Sequence, residues 1–377
     1  MTLSTEPTYS PWTHRLAVAL AAVAFPVIWV GSLVTTYNAG MAVPDWPGTY
    51  GYNLFLYPWT TWIFGPWDLF VEHGHRLLAS LCGLVAIVLC IVAWRNRSRR
   101  WLFWLSLGAL ALVIFQGILG GVRVLLDQRL VAMLHGTVGP AFFAYCVLLI
   151  ALTRRSWQDA VWRPDAKAGR NGFSRTHLFV AIGFAALTLA QIGLGAGVRH
   201  LNVLATREFF VGLVVAHIAV AVALWFYAFL LFLIAFSHRA GRAPTGRALV
   251  TFLLVTMQVG FGVATWIVNY SLPDVETLAP WLARYAIEQE GLLQSYIVTA
   301  HVMFGTLILG AATTIVAFEW KPAFYAETLP AGDTASAADM SESKKRRSAR
   351  ARGVEAGRTN EPGGTVGLPA AIRGGSA

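Results

Sequence analysis

Apolar residues gather in eight long blocks separated by short polar stretches, at positions 15–38, 72–94, 101–122, 131–152, 176–198, 208–236, 246–268 and 294–319. About 20 apolar residues are needed for a helix to cross the hydrocarbon layer of a bilayer. The pattern therefore predicts an all-α membrane protein with eight transmembrane helices. Four histidines, His75, His135, His217 and His301, fall near the starts of the second, fourth, sixth and eighth blocks. If the blocks cross in alternation, all four imidazoles lie at similar depth on one side of the membrane.

The blocks repeat. Gln116-Gly117-Ile118-Leu119-Gly120-Gly121-Val122 in the third span resembles Gln258-Val259-Gly260-Phe261-Gly262-Val263-Ala264 in the seventh. Gln116 and Gln258 are 142 positions apart, and so are His75 and His217. His135 and His301 are 166 apart, the excess of 24 falling in the outer loop 269–293. A repeat of four spans keeps its orientation, which predicts two pseudo-symmetric four-helix bundles related about the membrane normal. Span 5 carries the same Gln and Gly theme in Gln191-Ile192-Gly193-Leu194-Gly195. Such small residues let helix backbones, or a flat macrocycle, approach closely. The expected organisation is an N-terminus 1–14, a first bundle 15–152, a linker 153–175, a second bundle 176–319 and a disordered basic tail 320–377.

Composition agrees with the pattern. The 377 residues are 56% hydrophobic and 13% charged, with a mean hydropathy of +0.57, against about a quarter charged in soluble domains. The loops after spans 2, 4 and 6 carry Arg95, Arg97, Arg99 and Arg100, then Arg154, Arg155, Arg163, Lys167, Arg170 and Arg175, then Arg239, Arg242 and Arg247. Cytoplasmic loops retain such charge, so both termini are expected inside and the four histidines toward the outer side. The net charge of +10 is spread over inner loops and the tail, where anionic lipid headgroups explain it and nucleic acid is not required. Cys82, Cys90 and Cys146 all fall inside apolar spans and form no disulfide or CxxC pattern. With no cleavable signal or Arg-rich presequence at the N-terminus, a bacterial cytoplasmic membrane is the expected address.

Candidate chemistry follows from the histidines. An imidazole in a membrane helix needs a partner, and paired imidazoles are axial ligands of b-type haems. Zinc fits less well, because no Cys or carboxylate cluster completes a tetrahedral set. His73 sits about 200° around the helix from His75 and cannot share its ligand face. Glu72 lies one helical turn before His75, and its repeat mate is Val214, which suggests unequal jobs for two haems. A helix N-terminal carboxylate favoured by the dipole is the competing explanation. Arg76, Arg123 and Arg199 are outer-side candidates for haem propionates, or snorkel to headgroups. The loop 39–70 is rich in Trp and Pro, and is expected to lie over the outer mouth of the first bundle as a lid or an anchor.

Glu72-His73-Gly74-His75-Arg76, Gln116 to Arg123, Leu134-His135-Gly136, Asp45-Trp46-Pro47 and the single His217 and His301 make residues 15–319 resemble the haem A synthase family. The resemblance implies conversion of haem O to haem A for cytochrome oxidase, by oxidation of the C8 methyl to a formyl through successive hydroxylations. It implies a substrate haem in the N-terminal half, with Glu72, His75 and His135, and a haem b cofactor between His217 and His301. Haem O synthase and the cytochrome oxidase assembly route are the partners it implies, besides membrane lipid; the electron donor is not specified, and assembly of identical chains is compatible with it. The outer loops lack the cysteine pair found in part of the family, and Thr35 to Val43 differs from its Thr-Arg-Leu-Thr pattern. The alternative from the residues alone is a bis-histidine dihaem electron-transfer cytochrome, or a haem carrier without turnover.

Overall fold

The computed structural model describes residues 9–96, 100–162, 175–201, 205–237, 242–270 and 291–328. Residues 271–290 of the expected outer loop 269–293, most of the 153–175 linker, and residues 329–377 of the expected tail 320–377 lie outside the described residues, whereas 320–328 continue the last helix rather than the tail. Ten α-helices are described: α1 (Pro11–Thr36), α2 (Trp59–Ile63), α3 (Trp67–Arg95), α4 (Arg100–Leu126), α5 (Arg129–Thr153), α6 (Arg155–Trp162), α7 (Arg175–Arg199), α8 (Arg207–Ser237), α9 (Arg242–Tyr270) and α10 (Leu292–Thr328). Eight of them, all but α2 and α6, are long and apolar enough to cross a membrane, and the chain is a multi-pass membrane protein.

Local chemistry sets the boundaries. Ser10 caps α1 by accepting from the Thr13 N–H, and Pro11 follows it, a residue that tolerates the first helical turn because it has no N–H to satisfy. Pro66 precedes α3, whose first turn carries Asp68. The helix therefore starts five residues before the expected span, and Glu72 sits in its second turn. That corrects the helix-terminus explanation of Glu72, since Asp68 occupies the dipole position. Only Asp127 and Gln128 separate α4 from α5, and Asp127 turns the chain with a φ of 45°, a left-handed conformation that Asp tolerates better than most residues. Within the expected linker, α6 folds back so that buried Trp157 donates from Nε1 to the Ala317 carbonyl at 3.2 Å.

In the first half α1 packs on α3 and α5, and α4 closes the ring against the same two helices. In the second half α8 packs on α7 and α9, and α10 joins through Phe261–Phe304 stacking at 4.9 Å. Each half has its apolar core away from the histidines. Ala17, Leu20, Ala24, Cys82, Ala86, Leu89, Ala109, Cys146 and Leu149 fill the first, and Phe184, Leu224, Ala228, Val255, Ile308 and Ala312 the second. Close packing at those ends fixes the helices and leaves the opposite ends to polar groups. Both halves belong to one compact unit that ends at Ala323.

Candidate functional site

The even spans α3, α5, α8 and α10 bring His75 to His135 and His217 to His301. Ring centres are 6.4 Å apart with planes at 84° in the first pair, and 6.3 Å apart at 65° in the second. An imidazole nitrogen bonds a transition metal at about 2.0 Å and lies roughly 1.1 Å from its ring centre, so two imidazoles flanking one ion place their centres about 6.3 Å apart. Both pairs have that spacing. Nδ1 of each of the four rings is buried without a hydrogen-bond partner, and an unsatisfied buried polar group costs about 1–3 kcal/mol. Among the described residues no group of three or more His, Cys, Asp or Glu side chains converges, and each pair offers two imidazoles. The residues fit a bis-histidine haem.

The odd spans supply a glycine collar to each imidazole. A Cβ on Gly31 would meet His75 Cε1 at 2.8 Å, one on Gly120 would meet His135 at 3.2 Å, one on Gly195 His217 at 3.0 Å, and one on Gly262 His301 at 3.2 Å. Four residues before three of these glycines stands a glutamine, and each reaches the same histidine. Gln116 Nε2 donates to the His135 carbonyl at 3.2 Å and Gln191 Nε2 to the His217 carbonyl at 2.9 Å. Gln258 Nε2 lies 3.5 Å from His301 Nε2. In α1 the equivalent residue is Val27, whose backbone lies beside His75. Gly31 was missed by sequence reasoning because its glutamine is absent; the same four-residue spacing was the available signal.

The first outer loop is pinned over the N-terminal pair. Glu72, 3% exposed, accepts from Arg76 Nη2 through Oε1 at 2.7 Å and from the Val43 N–H through Oε2 at 3.0 Å. Arg76 also donates to the carbonyls of Asp45 and Gly48, each at 2.7 Å, and of Val43 at 2.8 Å. Four of its five donors are thus committed to the loop and Glu72. Arg123 Nη2 donates to the Gly40 carbonyl at 2.7 Å, within electrostatic reach of His75 and His135. His73 faces the loop, as its helical angle requires: its Nδ1 lies 2.9 Å from Thr49 Oγ1, between Tyr57 and Trp62.

The Asp45-Trp46-Pro47 stretch has a structural explanation. The Asp45 carboxylate accepts from the backbone N–H groups of Tyr50 at 2.7 Å and Gly51 at 2.9 Å. Burial opposes its charge, but these N–H groups and the Arg76 cation prevail and hold its carboxyl below the ordinary value. Trp46 packs against Gly121, where a Cβ would come within 2.4 Å of the indole. The neighbouring Gly120 is the collar of His135, so the loop and the imidazole pair share one wall.

Arg199 reaches α1, and His200 lies against Gly136. Burial, with Arg199, Arg123 and Arg129 nearby, lowers the His200 imidazole to about 4, so it is neutral at ordinary pH.

The sequence pattern of the cytochrome oxidase assembly protein family matches residues 66–274, more than half of the chain. The chain belongs to that family. The matched stretch of this family member holds Glu72, His75, His135 and His217. It is similar to the heme A synthase of Shouchella clausii, at 29% identity over 195 residues, which are 50% of this chain and 59% of that protein. The heme A synthase of Alkalihalophilus pseudofirmus is 28% identical over 256 residues, 63% of this chain and 82% of the relative. That of Exiguobacterium sibiricum is 28% identical over 294 residues, 73% and 91%. The assembly family member thus spans three-fifths of one relative and nine-tenths of another.

Proposed function

We propose that this protein is a haem A synthase, oxidising the C8 methyl of haem O to a formyl group. The observation that carries the reading is the presence of two imidazole pairs at metal-bridging separation, the first of them beneath a buried carboxylate and a pinned loop, in a chain similar to proteins of that name. His75 and His135 hold the substrate macrocycle, and His217 and His301 hold haem b. When bound, haem b supplies one-electron chemistry that amino-acid side chains cannot.

The chain's own residues divide the remaining work. Gly31 and Gly120 fix the two substrate-side imidazoles by close contact, and Trp46 with the pinned loop excludes water from the outer face. The Glu72 carboxyl is fixed by hydrogen bonds from Arg76 and the Val43 N–H, one helical turn from His75. Converting the methyl to a formyl adds one oxygen at the level of water and removes four electrons, which pass to an external oxidant, with four protons; Glu72 is the group placed to exchange those protons. Arg123 is the substrate-side contact for a propionate, while Arg76 serves by holding Glu72 and the loop. Glu72 facing Val214 in the repeat argues against a symmetric dihaem cytochrome.

The bacterial relatives favour the inner membrane, with both termini cytoplasmic and the haem sites outward. Haem O synthase would supply the substrate, and assembly of cytochrome oxidase would consume the product. The test is expression in a host that makes haem O but no haem A. Appearance of haem A with the parent chain, and not with a His75→Ala variant, supports the reading; its absence with the parent at normal membrane abundance rejects it.

A further inference from the structure

Three consecutive residues at the end of α7 tie the second half to the first. Arg199 Nη2 donates to Thr36 Oγ1 at 2.6 Å and to the Ser32 carbonyl at 3.5 Å, both on α1. Ser32 follows Gly31, the collar of His75. His200 turns the other way, its Nε2 3.9 Å from where a Cβ would stand on Gly136, the residue after His135. The Leu201 carbonyl accepts from Arg129 Nη1 at 2.7 Å, at the start of α5. The segment 199–201 therefore grips the first half on both sides of its imidazole pair.

Arg199 also stands one helical turn after Gly195, the collar of His217, and is within electrostatic reach of His301, so it lies beside the other pair as well. Among the described residues no carboxylate is paired with the Arg199 guanidinium. A cation removed from water at such a seam needs an anion to offset its desolvation. Thr36 and Ser32 supply hydrogen-bond acceptors but no negative charge.

Resting on the bis-histidine haem reading, we propose that Arg199 is the charge-setting residue of the second centre. Its guanidinium pairs with a propionate of the haem between His217 and His301, and Thr36 of the first half fixes its position. A cation there favours the less positive, reduced iron over the oxidised one, which raises the reduction potential of that haem. The charge would be wasted on this task if the anion were a lipid phosphate, and the two sources give different results.

The experiment is optical redox titration of the purified full-length chain, with the second haem identified by its loss in His217→Ala. Removing one charge beside a haem in a low-dielectric seam shifts the redox equilibrium by about tenfold, which is about 59 mV for a one-electron couple. Arg199→Gln is expected to lower the midpoint of the second haem by that amount, with Arg199→Lys recovering most of it. Thr36→Val, which keeps the charge but releases its position, is expected to shift the same haem in the same direction by less. It decides the matter if Arg199→Gln fails to retain haem. Unchanged midpoints in variants that retain both haems overturn the proposal and leave Arg199 to a lipid phosphate or to helix packing. A parent that binds no bis-histidine haem is a different result, and rejects the underlying reading instead.

Discussion

Replacing Gly31 by alanine separates a packed ligand collar from an ordinary glycine in a membrane helix. The new Cβ would stand 2.8 Å from His75 Cε1, and ordinary contact begins near 3.4 Å, so the imidazole must recede by about 0.6 Å. Metal sites tolerate displacements of about 0.2 Å in their bond lengths. The strain thus falls on the His75 centre, at the roughly 1–3 kcal/mol that overpacking costs, which lowers haem affinity there by about 5- to 150-fold. Gly117, one turn from Gly120, is the internal control, because a Cβ there meets nothing within 4 Å. Gly117→Ala should stabilise its helix by up to about 1 kcal/mol through propensity alone and leave the haem untouched. On the other pair, Gly195→Ala, with a 3.0 Å contact to His217, is matched by Gly260→Ala, with none. The assay is bound haem per chain and its low-spin spectrum, at equal membrane abundance. Equal haem content and identical spectra for Gly31→Ala and Gly117→Ala would refute the collar.

Glu72→Gln keeps an acceptor for the Val43 N–H but loses the Arg76 ion pair, and Glu72→Ala loses both. Haem A formation should fall about 10²- to 10⁴-fold in each while both haems stay bound, whereas undiminished turnover would remove Glu72 from the chemistry. His217→Ala or His301→Ala should empty the second centre while the chain still inserts; a full two-haem spectrum from either variant contradicts the pairing. Asp45 is held below its ordinary pKa, so its contribution to the loop is fully present above the unfolded value near 3.8 and is lost as pH falls through the lower folded value. Limited proteolysis of residues 39–66 should accelerate over that acid range in the parent, and Asp45→Asn should be cleaved at the fast rate at neutral pH; a parent loop that resists cleavage equally at all pH values contradicts this.

The spans and the histidines were legible because they are set by composition and period, which a single chain displays directly. The equal spacing of His75 to His217 and of Gln116 to Gln258 exposed the repeat without any tertiary information. The loop contacts of Arg76 were hidden for the opposite reason. Its acceptors on Val43, Asp45 and Gly48 lie 28 to 33 residues away, and nothing local marks an arginine that will be enclosed by backbone carbonyls. The early start of α3 also depended on context, since Trp67 to Phe70 read as part of the interfacial loop, whereas Pro66 opens a helix there. Val27 hid Gly31 by breaking the glutamine pattern in α1, the helix that flanks His75. The grip of residues 199–201 arises only when the two halves pack together.

The account rests on two centres that hold different haems, and the direct measurement is chromatographic identification of the haems extracted from the purified chain. It predicts haem B accompanied by haem O, its hydroxylated form or haem A, with His217→Ala removing haem B selectively and His75→Ala removing the others. Haem B alone at two per chain, lost equally from either pair, would contradict it and make the protein a symmetric cytochrome.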